Sequence, residues 1–215
     1  MQRKCTILLV RHGEPESVAT RLTSHEFSTW LETERDRGLV AASQPPDSTK
    51  RSLSEIQCVF TSDASRSMQS AILLASGITA IANPLFQEVP LPRVFTVSNF
   101  RLSVQTWMII ARILWMLGHG DAPESRAQAK LRARDAVDVL VGDAHAYGAV
   151  ALVGHGVFNM LIGQELRRRG WSGPSRPGVR YWDSTVYSCD IGTIFLSRGR
   201  RPQVAMQTNH TSDGG

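Results

Sequence analysis

The sequence predicts an α/β fold, a three-layer α/β/α sandwich around a mostly parallel central sheet of about six strands. Short apolar runs alternate along the chain with segments of helical period, the pattern of strand–helix–strand units. Three polar clusters, Arg11-His12-Gly13, Thr61-Ser62 and Gly154-His155-Gly156, each follow an apolar run. In such folds ligands bind beyond the carboxyl ends of the strands. The 215 residues suit one domain with room for insertions. Residues 1–206 are read as that domain, with helical insertions at about 17–46 and 89–145, and the polar, glycine-ended segment 207–215 as a flexible tail.

The elements follow in order. Cys5 to Val10 is an uninterrupted apolar run, the mark of a buried strand. His25 to Arg37 reads as a helix, followed by a loop that Pro45 and Pro46 punctuate. Gln57 to Thr61 is a second strand. Ala64 to Ser76 is a helix with Met68, Ala71, Ile72 and Ala75 expected on its inner face. Ile78 to Ala82 is a third strand, and a loop with Pro84, Glu88, Pro90 and Pro92 follows. Val104–Leu117 and Glu124–Val141 are helices. Val104–Leu117 is strongly apolar, and at less than the ~20 residues of a membrane span it is read as a buried helix. Val150 to Val153 is a fourth strand, Val157 to Arg168 a helix and Gly170–Gly178 a loop. Thr185–Ser188 and Thr193–Ser197 close the sheet.

Composition excludes little but orients the search. With 42% hydrophobic and 20% charged residues the chain is globular rather than disordered. The net charge of +5 and a pI near 9.6 suit acidic ligands, and lysine occurs only at Lys4, Lys50 and Lys130, so arginine, with its planar fork, supplies the positive charge. No aromatic-interleaved basic stripe points to nucleic acid. Three cysteines without a CxxC pattern point to thiols in a reducing compartment rather than a disulfide or zinc framework. The apolar strand begins too early for a signal peptide, so a cytoplasmic protein that does not bind membranes is expected.

The chemistry resides in the polar clusters. A histidine at a strand end beside an arginine and a glycine serves as a nucleophile, a metal ligand or a turn residue bonded to backbone, and His12 alone leaves all three open. His155 repeats the context. Arg66 falls in the first turn of its helix, where the dipole disfavours a cation unless an anion lies between them. A P-loop GxxxxGK[ST] and a nucleophile elbow GxSxG are both absent from the sequence, which argues against a P-loop kinase and an ordinary α/β-hydrolase. Arg167-Arg168-Arg169 reads as a solvated helix end, and His119, between two glycines, as a helix stop.

Taken in order, these residues resemble the histidine phosphatase superfamily, also called phosphoglycerate mutase-like. Leu8-Leu9-Val10-Arg11-His12-Gly13 matches its opening strand and RHG motif. Ser62, Arg66, Ser70 and Ala71 match its second motif, and Val153-Gly154-His155-Gly156 its late one. A narrower likeness, to small bacterial members, rests on Glu26-Phe27 near Trp30, Pro90-Leu91-Pro92, Arg167-Arg168-Arg169-Gly170-Trp171 and Arg180-Tyr181-Trp182. The resemblance implies a phosphatase acting on small phosphate monoesters through a phosphohistidine, with no cofactor and no metal. It assigns His12 as nucleophile, Glu88 as general acid and His155 as a catalytic donor, with Arg11, Arg66, His155 and Gly156 on the phosphate. Glu88 is expected to stay protonated among Val89, Pro90 and Leu91. Glu14, Ser17, Phe27 and Phe95 are expected in the substrate pocket. Glycolytic mutases of the family carry an asparagine soon after RHG, and here none precedes Asn83, which favours transfer to water. Mutase-type phosphoryl transfer and a non-catalytic, phospho-ligand-binding regulatory protein are the alternatives. The substrate and the oligomeric state are left open.

Overall fold

The computed structural model describes residues 4–16, 21–75, 77–94 and 100–190. In chain order the elements are β1 (Lys4–Arg11), β2 (Arg21–Leu22), α1 (Ser24–Thr33), α2 (Asp47–Ser52), β3 (Cys58–Thr61), α3 (Ser65–Leu74), β4 (Ala80–Ala82), β5 (Leu102–Ser103), α4 (Val104–Met116), α5 (Arg126–Tyr147), β6 (Ala149–Gly154), α6 (Gly156–Arg168) and β7 (Ser184–Asp190). Among the described residues the central sheet has five strands in the order β4-β3-β6-β1-β7. The first four run parallel and β7 is antiparallel to β1. The strand expected at Thr193–Ser197 and the tail lie outside the described residues.

Side-chain alternation along β1 builds the three layers, because successive residues of a strand face opposite sides of the sheet. Ile7 and Leu9 pack on one face with Phe60, Leu152, Val137 and Leu140 of α5 and Phe158 and Ile162 of α6. Leu8 and Val10 pack on the other with Val59, Val153, Ala71 and Leu74 of α3 and Trp182. Cys5, Cys58 and Cys189 are buried thiols. A third apolar cluster joins Phe27 of α1 to Trp107 and Ala111 of α4 and to Val94, beside the β2–β5 ribbon.

Local chemistry sets the helix starts. Thr23 and Glu26 form a capping box at α1, and Ser125 and Gln128 do the same at α5, each pairing two backbone donors that the first turn leaves free. Gly148, at φ 82°, turns the chain from α5 into β6.

Three expectations need correction. Ala71 and Ala75 are buried as expected, but Met68 and Ile72 are exposed and the rest of the inner face of α3 is Arg66, Ser67, Ser70 and Leu74; the serines are buried because each finds a polar partner at the site. The second insertion is shorter than 89–145, since α5 buries Ala133, Ala136, Val137 and Leu140 in the sheet layer. Helix α4 is buried only along Val104, Trp107, Ala111 and Trp115; Ile109, Ile113 and Met116 are exposed. The arginine triple ends α6 as expected, with Arg167 and Arg168 exposed in its last turn; Arg168 and Arg169 also bind Glu165, and Arg167 donates to the Gly173 carbonyl. Among the described residues no helix is long and apolar enough to cross a membrane.

Tyr187 of β7 shows how tightly the layers close. Its ring is fully buried, its hydroxyl donates to the Pro174 carbonyl at 3.0 Å, and Gly163 and Gly173 both lie against it without room for a methyl group. Gly163→Ala is therefore expected to destabilise the protein by about 1–3 kcal/mol through overpacking. Thermal unfolding of the variant checks this; an unchanged midpoint would show that the ring can yield.

Candidate active site

Register brings three strand ends level. Arg11 of β1 sits opposite Gly154 of β6, and Thr61 of β3 opposite Val153. The next residues along, His12, His155 and Ser62, therefore leave the sheet side by side. The His12 amide donates to the Gly154 carbonyl at 2.9 Å, and Asn159 of α6 donates to the Val10 carbonyl at 3.1 Å. These bonds tie the start of α6 to the end of β1.

The tautomer of His12 follows from its partners. Nδ1 lies 2.7 Å from the Gly13 carbonyl oxygen, which can only accept, so Nδ1 carries the hydrogen. Nε2 is left with its lone pair and accepts from Arg66 Nε at 3.3 Å. Burial drives the pKa of His12 well below the usual histidine value, and the charges at His155, Arg66 and Arg11 push the same way against the Gly13 carbonyl. The ring is neutral and its free lone pair is on Nε2.

His155 lies edge-on to His12, with ring centroids 5.0 Å apart. Its Nε2 is 2.7 Å from Ser62 Oγ and 3.3 Å from Ser67 Oγ, and its Nδ1 is buried without a hydrogen-bond partner. Burial, then Arg66, Arg11 and Arg132, lower its pKa well below the usual value. In the tautomer whose Nε2 accepts from the Ser62 hydroxyl, Nδ1 carries the hydrogen and has a donor to spare.

Each arginine is held differently. Arg66 is 3% exposed and donates through Nη1 to the Glu34 carbonyl at 2.8 Å and through Nη2 to the Glu34 carboxylate at 3.2 Å. The anion that sequence reasoning required beside Arg66 is in this state a carboxylate of the protein itself. Arg11 donates to the Val179 carbonyl and lies 4.5 Å from the centre of the Tyr181 ring, within cation–π range. Its Nε is buried without a partner. Gly156 opens α6 close to this guanidinium.

Glu88 corrects another expectation. Its carboxylate accepts from the backbone N–H groups of Val89 at 2.8 Å, Phe158 at 3.0 Å and Val157 at 3.2 Å. It fills the role of a cap for the first turn of α6, whose N-cap His155 makes no side-chain bond there. Its surroundings are hydrogen-bond donors rather than the apolar shell expected. The loop before it is anchored by Arg132, which donates to the Leu85 and Gln87 carbonyls, and by Gln87, which donates to Asp63.

Arg11, His12, Arg66, Glu88 and His155 line one cavity of about 870 Å³. Its outer wall comes from α1 and α4, with Trp30, Leu31, Val104 and Met108, and from the charged Glu34 and Arg112. Arg112 donates to the Val89 carbonyl, leaves Nη1 buried without a partner, and is lowered in pKa by burial, against the opposing fields of Glu88 and Glu34. Phe27 is fully buried, stacked between Trp30 and Trp107 at 5.8 and 5.9 Å, and packs the subdomain instead of lining the cavity. Glu14 is exposed and off the cavity; its amide donates to Ser43 Oγ. Ser17 and Phe95 lie outside the described residues. Among the described residues no cluster of three or more His, Cys, Asp or Glu is placed to hold a metal ion.

Glu34, Arg112, Arg132 and Tyr181 went unread in the sequence as site residues. Each reaches the site through a contact distant in sequence, and only Tyr181 stood near a recognised motif. Tyr181 touches His12 as well as Arg11, with ring centroids 5.8 Å apart. The turn that carries it is fixed by Trp182, a residue at φ 66°. The Trp182 Nε1 donates to Ser43 Oγ, and its carbonyl accepts from Thr49. The Trp182 ring fills the space where a Cβ on Gly13 would sit.

A family model described as the histidine phosphatase superfamily (branch 1) matches residues 7–198. The chain belongs to that superfamily. Among solved structures, a mycobacterial glucosyl-3-phosphoglycerate phosphatase aligns with a TM-score of 0.59 at 18% identity, covering 91% of this chain and 95% of its own. A phosphoglycerate mutase from Bacillus anthracis aligns with a TM-score of 0.56 at 15% identity, covering 88% of this chain and 89% of its own. No curated protein matches the chain. At such identities the likeness is one of fold: a mostly parallel α/β sheet of the phosphoglycerate mutase-like kind.

The cations around His12 set up a titration test. Arg66→Ala removes a like charge and opens the site, and both changes favour the imidazolium. His12 in this variant is expected to take up a proton at higher pH than in the wild type, as read from its ring signals by NMR. A His12 titration that stayed in place would remove Arg66 from the causes of the low pKa.

Proposed function

We propose that the protein is a phosphatase that hydrolyses small phosphate monoesters through a phosphohistidine on His12, without a metal ion. The observation that carries this reading is the fixed tautomer: Nδ1–H is bound to the Gly13 carbonyl, and a buried, neutral Nε2 is turned toward Arg66. A neutral imidazole nitrogen with its lone pair exposed to a cationic cavity is what attack on phosphorus needs. Solved structures of this fold include both a phosphatase and a mutase, so the fold does not choose between them. The choice of water as acceptor rests on the residues after Gly13, where Glu14, Pro15 and Glu16 stand near the place of the mutases' asparagine.

In the first step Nε2 forms a bond to phosphorus as the bond to the ester oxygen breaks. Arg66 turns from Nε2 to the phosphoryl oxygens, joined by Arg11 and by the spare Nδ1–H of His155. These donors neutralise the charge that phosphoryl transfer spreads over the equatorial oxygens. Glu88 gives a proton to the departing alkoxide. In the second step water attacks phosphorus, Glu88 takes its proton, and inorganic phosphate leaves His12 as a neutral imidazole. In this scheme Glu88 carries the proton into the first step and takes one back from water in the second. The apolar wall from α1 and α4 favours a compact or partly apolar leaving group.

His12→Ala is expected to lower hydrolysis of phosphate monoesters by more than about 10³-fold. Wild-type activity is expected to survive EDTA, and denatured enzyme quenched during turnover should carry phosphate that is labile to acid and stable to alkali. Full activity in His12→Ala, or a loss in EDTA that a divalent ion restores, would overturn the reading; transfer to a second substrate hydroxyl instead of water would make the enzyme a mutase.

Glu88 has its own test. Glu88→Gln is expected to slow hydrolysis of alkyl phosphates by about 10²-fold or more, and to affect the phosphorylation of His12 by an activated aryl phosphate far less, because that leaving group needs no proton. Single-turnover measurement of phosphorylation isolates the step. Equal losses on both substrates would assign Glu88 to capping α6 alone.

A further inference from the structure

Glu34 stands in the cavity wall with no task in the chemistry above. All three nitrogens of the Arg66 guanidinium end on protein: Nε on His12 Nε2 at 3.3 Å, Nη1 on the Glu34 carbonyl at 2.8 Å, and Nη2 on the Glu34 carboxylate, whose oxygens lie 3.1 and 3.2 Å away. A phosphoryl group arriving at Nε2 therefore meets a guanidinium that already carries an anion. The Glu34 side chain lines the same cavity as His12, so its charge and that of the phosphate face one another across Arg66.

We propose that Glu34 is a built-in counter-anion of the phosphate site: it neutralises Arg66 in the empty enzyme and opposes the phosphate that binds there, so that inorganic phosphate, the product, is held loosely. The inference rests on reading His12 and Arg66 as the phosphate site. A buried guanidinium without a partner is costly, so the empty site needs such an anion. Yet a phosphatase that left Arg11, Arg66 and His155 unopposed would bind its own product tightly. A carboxylate beside the central arginine meets both demands.

The surroundings of Glu34 fit this exchange. Arg66 of α3 and Arg37, just beyond the turn that carries Glu34, favour its ionised form, while Glu88 from the opposite loop disfavours it. Arg112 of α4 shares the field of both carboxylates. Burial is the largest influence and holds the Glu34 carboxyl above the usual carboxylate range. An arriving phosphate dianion brings a second negative charge to the same guanidinium, and the two anions compete for Arg66.

The test is calorimetric titration of inorganic phosphate into wild-type, Glu34→Gln, Glu34→Asp and Arg66→Ala proteins. Glutamine keeps an acceptor for Nη2 and removes the charge, so Glu34→Gln is expected to bind phosphate about tenfold tighter, with a matching fall in the competitive inhibition constant. Aspartate draws the charge back by one methylene group, so Glu34→Asp should bind about threefold tighter, and it decides the matter alone should the glutamine variant not fold. A purely structural Glu34 gives the reverse, and equal or weaker phosphate binding in the folded variants would overturn the proposal. Wild-type binding that Arg66→Ala leaves unchanged would instead place phosphate elsewhere and overturn the reading on which the proposal rests.

Discussion

A guanidinium with almost no exposed surface cannot be left unpaired in a protein, and the geometry around Arg66 is the solution this chain has found. Leaving a buried charge unpaired costs about 3–5 kcal/mol. The side chain is therefore shared between His12, at the end of β1, and Glu34, in the turn after α1. That one group joins the sheet layer to the subdomain. It fixes which imidazole nitrogen carries a lone pair, helps keep the ring neutral, and brings a carboxylate into the cavity. Its position on the inner face of α3 also explains why that face is polar: Ser70 accepts from the Gly13 amide and Ser67 lies against His155.

The two cavity carboxylates are held in contrasting ways. Glu88 receives backbone donors from the start of α6, and Glu34 receives a side-chain cation. One belongs to a framework of main-chain dipoles that a ligand cannot rearrange. The other is bound to a single side chain that also reaches His12. Under the proposed mechanism, acid–base work falls to the fixed carboxylate and charge exchange to the yielding one, as when paired titratable groups in an active site are pushed toward different roles.

Much of the fold was legible because its strands are short and wholly apolar. The runs ending at Arg11, Thr61 and Gly154 announce themselves by composition, and with right-handed α/β logic their ends must lie together. His12, Arg11, Arg66 and His155 were legible for the same reason, since each sits within a few residues of a strand end or helix start. What the sequence concealed is long-range pairing. Glu34 lies in a run of charged residues, Glu32-Thr33-Glu34-Arg35-Asp36-Arg37, that looks like any solvated helix end. Arg132 reads as a surface residue of α5, yet it holds the Glu88 loop. Hydrophobic periodicity placed Ala71 and Ala75 rightly but Met68 and Ile72 wrongly on the inner face of α3, because serines with polar partners took buried positions, and Phe27 was assigned to the cavity when its ring packs on Trp107. Apolar character alone does not tell a pocket wall from the packing behind it.

The glycine of Arg11-His12-Gly13 would ordinarily be credited to the chemistry of its neighbour. Here its missing side chain is demanded by the Trp182 ring, which comes from the far end of the described chain and seats the turn that lays Tyr181 over Arg11. The third letter of the motif thus records a packing debt to the C-terminal segment, and the two positions form a lock and its key. Across descendants of this sequence, a larger residue at position 13 becomes admissible only where position 182 has shrunk. Such a lineage would keep its histidine at position 12 and lose the aromatic cover of its first arginine.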